Sequence, residues 1–203
     1  MGSRLIPMLS GRGHAVTALA RPGSESRVSA EATMASGNAL DAASLRACLR
    51  ECDTWVQLIG TPHPAPWKAE QFRAVDLRAV AASAEALRDS AIRHFIYLSV
   101  TQPSPFMRSY VQVRAEGEAL LSATGVPATF LRPWYVLGPG HRWPYALIPA
   151  YRILESIPAT REGALRFGLV TLGQMLAALV QAVENPPDSV RILDVPAIRN
   201  ARI

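Results

Sequence analysis

The sequence predicts an α/β protein built as a doubly wound parallel sheet with a small C-terminal region, and three observations carry that prediction. Short strand-like runs alternate with helix-period segments along most of the chain. The connections between them are short. The runs at 54–59 and 94–99 are apolar on nearly every residue instead of every second one, as strands buried on both faces must be.

The elements follow in order. Residues 2–9 read as a helix stopped at Ser10, Gly11, Arg12 and Gly13, and 14–20 as a strand that ends in Arg21, Pro22 and Gly23. A short strand is expected at 32–36, then a helix at 41–51 opened by Asp41 as capping carboxylate, then the strand 54–59 ending at Gly60. A long helix at 67–90 is carried by Phe72, Val75, Leu77, Val80, Ala84 and Leu87, and it feeds the strand 94–99. A helix at 109–122, a strand at 128–131 and the turn Arg132, Pro133, Trp134 complete the repeating part. Beyond it come an apolar helix at 146–156 and a strand starting at Leu169 that leads into a helix to Glu184.

Residues 1–139 are therefore expected to form the sheet region, and 140–203 a smaller region integrated with the same domain. Right-handed crossovers leave one sensible winding for such a chain. Ligands of these sheets bind at the carboxyl ends of the strands, which puts Arg21, Asn38, Gly60, Ser99 and Pro133 along one cleft rim.

Composition narrows the class. With 203 residues, 49% of them hydrophobic, the chain can bury one sizeable core without disulfides or metals as staples. Cys48 and Cys52, four apart on one expected helix, lack the further partners of a zinc site and read as reduced core thiols. The net charge of +5 comes from scattered arginines without a nucleic-acid-binding motif, so it suits a small anionic ligand or a protein partner and not a nucleic-acid track. No apolar run approaches the ~20 residues of a membrane span, and the start lacks a basic-then-apolar signal pattern, so a soluble cytoplasmic protein is expected. His63 reads as a loop histidine near the rim. His14, His94 and His141 sit at element boundaries without metal-ligand spacing.

Six stretches, in this order and spacing, carry a likeness to a known family: 2–9, the run Ala20, Arg21, Pro22, Gly23, Ser24, the run 37–41, Ser99, the run Tyr110 to Glu116, and the run Leu131 to Gly140. The chain resembles the extended and atypical branches of the short-chain dehydrogenase/reductase superfamily, including NmrA-like regulators and the Rossmann-type accessory subunit of respiratory complex I. The resemblance covers nearly the whole chain and implies a Rossmann-type sheet that binds NADP, with NAD possible. In this family a strand and a glycine-rich turn precede the first helix, and here only the last glycine of that turn, Gly2, would remain. A true start upstream of residue 1 is the favoured expectation; without that strand, its neighbours would be left with unpaired N–H and C=O groups.

The resemblance also implies roles. Arg21 falls where NAD-preferring relatives carry an acid, and a guanidinium there suits the 2′-phosphate of NADP. Asn38 would face the adenine, Gly60 and Thr61 would let the ribose lie close, and Gly2, Pro133, Tyr135 and Val136 would complete the dinucleotide contacts. Ser99 would hold a substrate carbonyl and Tyr110 would be the acid/base. The family's lysine one turn further on is Arg114 here, a cation able to lower the pKa of a phenol but with a wide planar fork in place of a compact ammonium. Two functions follow: an NADP-dependent oxidoreductase or epimerase acting on a small or hydrophobic carbonyl or alcohol, or a dinucleotide-binding sensor or assembly factor without chemistry. Trp143, Tyr145 and Tyr151 suggest a hydrophobic substrate or partner surface, or else ordinary core, and a homodimer or protein partner stays open.

Overall fold

The computed structural model describes residues 1–49, 51–88, 90–138 and 143–203. The boundary expected between residues 139 and 140, and His141, lie outside them. The chain runs α1 (Gly2–Ser10), β1 (Thr17–Ala20), β2 (Thr33–Ser36), α2 (Ala42–Leu49), β3 (Thr54–Gln57), α3 (Ala69–Gln71), α4 (Arg78–Leu87), β4 (His94–Leu98) and α5 (Arg108–Ser122). It continues through β5 (Ala128–Leu131), β6 (Tyr135–Leu137), α6 (Ile148–Ser156), α7 (Pro158–Arg166), β7 (Leu169–Thr171), α8 (Leu172–Glu184), β8 (Val190–Leu193) and α9 (Val195–Asn200).

Every strand pairing is parallel. The order β3-β4-β5-β8 forms the main sheet, with β1-β2 and β6-β7 as two-stranded sheets. This is the expected α/β architecture. β4 is buried along nearly its whole length and alternates faces: Phe95 and Tyr97 pack with Leu45, Leu49, Val80 and Leu87 of α2 and α4, while Ile96 packs with Leu5, Leu9, Met175 and Leu179 of α1 and α8. Leu19 of β1 and Trp55 of β3 share the first cluster, and Val16 and Val56 share the second. The β1-β2 sheet and the main sheet thus share the same two hydrophobic clusters. Among the described residues, β1 pairs only with β2, and β3 only with β4.

Three differences from the expected elements have physical causes. The strands at 14–20 and 54–59 shorten to Thr17–Ala20 and Thr54–Gln57, because a ladder persists only where a partner runs alongside. The helix expected at 67–90 is not regular: a 3-10 turn opens it, and Phe72–Leu77 is a π-helical segment between α3 and α4. Phe72 and Asp76, four residues apart, both face inward, and Val75 and Leu77 are only half-buried. Finally, α6 buries none of its residues, and Ile153 is 61% exposed, so the apolar stretch 146–156 is a surface helix and not core.

Candidate functional site

The rim residues sit where parallel strands end. Arg21 directly follows β1 and is exposed, with no protein acceptor for its guanidinium among the described residues. Asn38 follows β2. Its Oδ1 accepts from its own turn at Leu40 N (3.0 Å), which leaves its amide N–H groups pointing away from that bond. Gly37 cannot be larger, since a Cβ there would lie 2.7 Å from Ser44 Oγ, and Ser44 in turn is held by the capping carboxylate of Asp41 (2.8 Å). Gly2 is the first residue of α1, with Leu58 beside it at the end of β3.

Ser99 directly follows β4, its N–H donating to Leu131 O at 2.8 Å. It is 3% exposed, and its Oγ has no hydrogen-bond partner among the described residues. A buried hydroxyl left without a partner is costly unless water or a ligand supplies one. Pro133 is buried after β5 and its carbonyl accepts from Thr101 N (3.1 Å), tying the two strand ends together. Tyr135 and Val136 follow in β6, both half-buried.

Tyr110 and Arg114 come together on α5 as expected, the guanidinium carbon 5.1 Å from the centre of the Tyr110 ring. The other face of that ring environment is Phe72, at 5.0 Å between centroids. Arg114, however, turns inward. It is 3% exposed and donates to Asp76 Oδ1 (2.6 Å), Leu98 O (2.8 Å) and Tyr97 Oη (3.3 Å). The second Asp76 oxygen accepts from both Thr61 N (2.9 Å) and Thr61 Oγ1 (2.5 Å). Gly60 lies between: a Cβ on it would come within 2.3 Å of Arg114 Nη2. Burial alone would pull the Arg114 proton affinity down, but Tyr110, Tyr97 and Asp76 outweigh it and hold the group above its ordinary value. Burial likewise pushes the Tyr97 phenol up to about 12, with Arg114 partly opposing.

Sequence reasoning missed Asp76, the counter-charge around which Arg114, Thr61 and Gly60 are arranged. The signal was the spacing of Phe72, Asp76 and Val80, four residues apart each time, which sets Asp76 on the face that the apolar residues bury. His63 is an exposed loop residue at φ 49°, and His94 opens β4 in full burial, bonded through Nε2 to Thr129 Oγ1 at 2.9 Å. Cys48 and Cys52 are both free and half-buried, and Cys52 lies past the end of α2, not on it. Among the described residues, no three His, Cys, Asp or Glu side chains group as a metal site, and no helix is long and apolar enough to cross a membrane.

The NAD(P)H-binding family model matches residues 1–146, most of the chain. The chain belongs to the NAD(P)H-binding family. No curated protein matches the sequence. Among solved structures, this NAD(P)H-binding chain is similar to a UDP-glucuronic acid 4-epimerase from Bacillus cereus in complex with NAD, at 17% identity and a TM-score of 0.68, covering 95% of this chain and 73% of that one. It is also similar to a putative epimerase from Burkholderia cenocepacia (16% identity, TM-score 0.67, covering 97% and 74%). A nucleoside-diphosphate-sugar epimerase from Staphylococcus aureus aligns at 15% identity and a TM-score of 0.63, covering 94% of this chain but only 66% of its own length. Identities this low establish the fold alone, a Rossmann-type fold with a parallel sheet between helices.

Proposed function

We propose that this NAD(P)H-binding protein is an oxidoreductase or epimerase of the short-chain dehydrogenase/reductase type, using NADP in preference to NAD. The observation that carries the reading is the buried Ser99 hydroxyl without a partner among the described residues, at the end of the strand next to the helix that bears Tyr110. The neighbours named above as epimerases, one of them holding NAD, agree in fold with that use.

The rim residues fit a dinucleotide. Arg21 offers a solvent-facing fork for a 2′-phosphate, the Asn38 amide a donor for a base edge, and Gly2 opens the helix beside which a pyrophosphate would rest. When bound, the nicotinamide supplies the hydride acceptor or donor. The chain's own residues handle the oxygen: Ser99 hydrogen-bonds the substrate carbonyl or hydroxyl, and the Tyr110 phenol gives or takes its proton. Arg114 does not reach towards a ribose in this arrangement, so its part is to hold Tyr110 from beneath through Asp76.

Replacing Tyr110 by Phe should abolish turnover over a carbonyl and alcohol panel while NADPH binding, read by fluorescence titration, stays within about twofold. Equal turnover in Tyr110→Phe removes the reading. Arg21→Asp should reverse the preference towards NAD; an unchanged NADP to NAD ratio would show that Arg21 does not touch the 2′-phosphate.

The inward Arg114 also supports a second reading, a dinucleotide-binding sensor or assembly factor without chemistry, because the cation that would serve the reaction is engaged in a buried ion pair. Tight NADPH binding without turnover on the same panel, together with a copurifying partner, would favour it.

A further inference from the structure

A cleft of about 470 Å³ opens between the carboxyl ends of β4, β5 and β8 on one side and α7 on the other. Its volume lies in the range of small-molecule sites. None of the residues assigned above to the dinucleotide or to proton transfer lines it.

Two of its walls present fixed cations. Arg132 is held from behind by Glu118, with Nε donating to Oε1 at 3.0 Å and Nη2 paired to Oε2. Its Nη1 has no protein acceptor among the described residues. Arg166 is tied by Nη2 to Pro103 O and lies 5.6 Å from the centre of the Phe167 ring, which leaves its Nε and Nη1 equally without acceptors. Beside them, Gln102 Nε2 is buried without a partner among the described residues. These groups are donors in search of acceptors, already oriented, and a planar carboxylate matches a guanidinium fork.

Each wall also carries an acid, Glu162 one turn before Arg166 on α7 and Asp194 after β8 beside Arg132. Glu162 has no hydrogen-bond partner among the described residues, and Asp194 uses only Oδ1, on Ala197 N (2.9 Å). Two carboxylates facing the same space oppose a dianion such as phosphate and suit hydroxyl donors instead. Leu165 and Ile192 add an apolar face for C–H groups.

We propose that this cleft binds a small hydroxylated monocarboxylic acid, its carboxylate on the remaining N–H groups of Arg132 and Arg166 and the Gln102 amide, its hydroxyls on Asp194 and Glu162. That the acid is the compound oxidised or reduced rests on the reading of the preceding section; its binding here does not.

The test is calorimetric titration of the whole protein with sodium gluconate, glucose and inorganic phosphate. Saturable binding of gluconate, with glucose and phosphate at least tenfold weaker, is the expected result. Arg166→Gln should weaken gluconate at least tenfold at an unchanged thermal midpoint, and if that variant does not fold, Gln102→Leu should show the same direction. No saturable gluconate binding, phosphate bound more tightly than gluconate, or unaltered affinity in a folded Arg166→Gln would overturn the proposal. NADPH titration of the same sample separates the two readings. Gluconate binding without NADPH binding supports the cleft and removes the dinucleotide reaction, and NADPH binding without gluconate binding removes the cleft.

Discussion

At the residue scale, the decisive contact is between a glycine and a guanidinium. Gly60 was expected to let a ribose approach, and the space a side chain would take there is filled by Arg114 Nη2, 2.3 Å from where a Cβ would sit. Arg114 cannot move aside without opening its 2.6 Å bond to Asp76 inside a buried site. Gly60→Ala should therefore destabilise the fold by ~1–3 kcal/mol, the usual cost of overpacking a tight interior. An unchanged urea midpoint would mean that the guanidinium relocates freely. Asp76→Ala leaves a buried arginine without its counter-charge, and loss of one partner of such a pair costs ~3–5 kcal/mol. Asp76→Asn keeps only one acceptor oxygen and turns an NH2 towards either Arg114 or the Thr61 N–H, so it removes the charge together with one set of hydrogen bonds. A loss clearly smaller than that of Asp76→Ala would show that the remaining hydrogen bonds, and not the charge, carry most of the pair's worth. Arg114 was legible from its spacing to Tyr110, whereas its direction was not, because direction depends on a carboxylate 38 residues away in sequence.

At the element scale, local chemistry was read well where it was local. Asp41 caps α2 as its position implied, accepting from Ser44 N. The start of α8 carries a complete capping box, with Gln174 N donating to Thr171 Oγ1 at 3.2 Å and Thr171 N to Gln174 Oε1 at 2.8 Å. Thr171→Ala should cost about 1 kcal/mol, measured by chemical denaturation; no loss would mean that packing alone holds the helix start. The two apolar C-terminal helices read alike in sequence and behave differently. Leu179 of α8 is fully buried, while Ile153 of α6 is 61% exposed. Leu179→Ala should cost ~2–5 kcal/mol, and Ile153→Lys should stay within ~0.5 kcal/mol. A large loss from Ile153→Lys would show that α6 is covered by something in solution.

At the scale of the whole molecule, stability is coupled to pH through a side chain remote from the site. His94 is 1% exposed at the start of β4, against Thr129, and burial with the nearby Arg191 charge lowers its pKa to about 4 from an ordinary 6.5. The fold thus favours the neutral ring. Its contribution is complete above pH 6.5 and is lost as pH falls towards 4, a total of about 3 kcal/mol. Between pH 7 and pH 4, wild-type protein should lose stability more steeply than His94→Gln. Parallel curves would place the acid sensitivity elsewhere. The relation between β1 and β3 belongs to this scale too: among the described residues no ladder joins them, and side chains of both strands meet the same helices.

The sequence by itself determined the class of fold, the order of the elements through β5 and the strand ends after which the rim residues fall, because those depend on hydrophobic period, capping residues and turn residues, all of them local. Only the tertiary structure decided that the long helix contains a π turn, that the apolar 146–156 stretch faces solvent, and that Asp76 takes the charge of Arg114. The reason is the same in each case. Which face of a helix is buried, and which charge meets which, is set by packing between segments far apart in the chain, and a pattern along one segment carries no record of its neighbours.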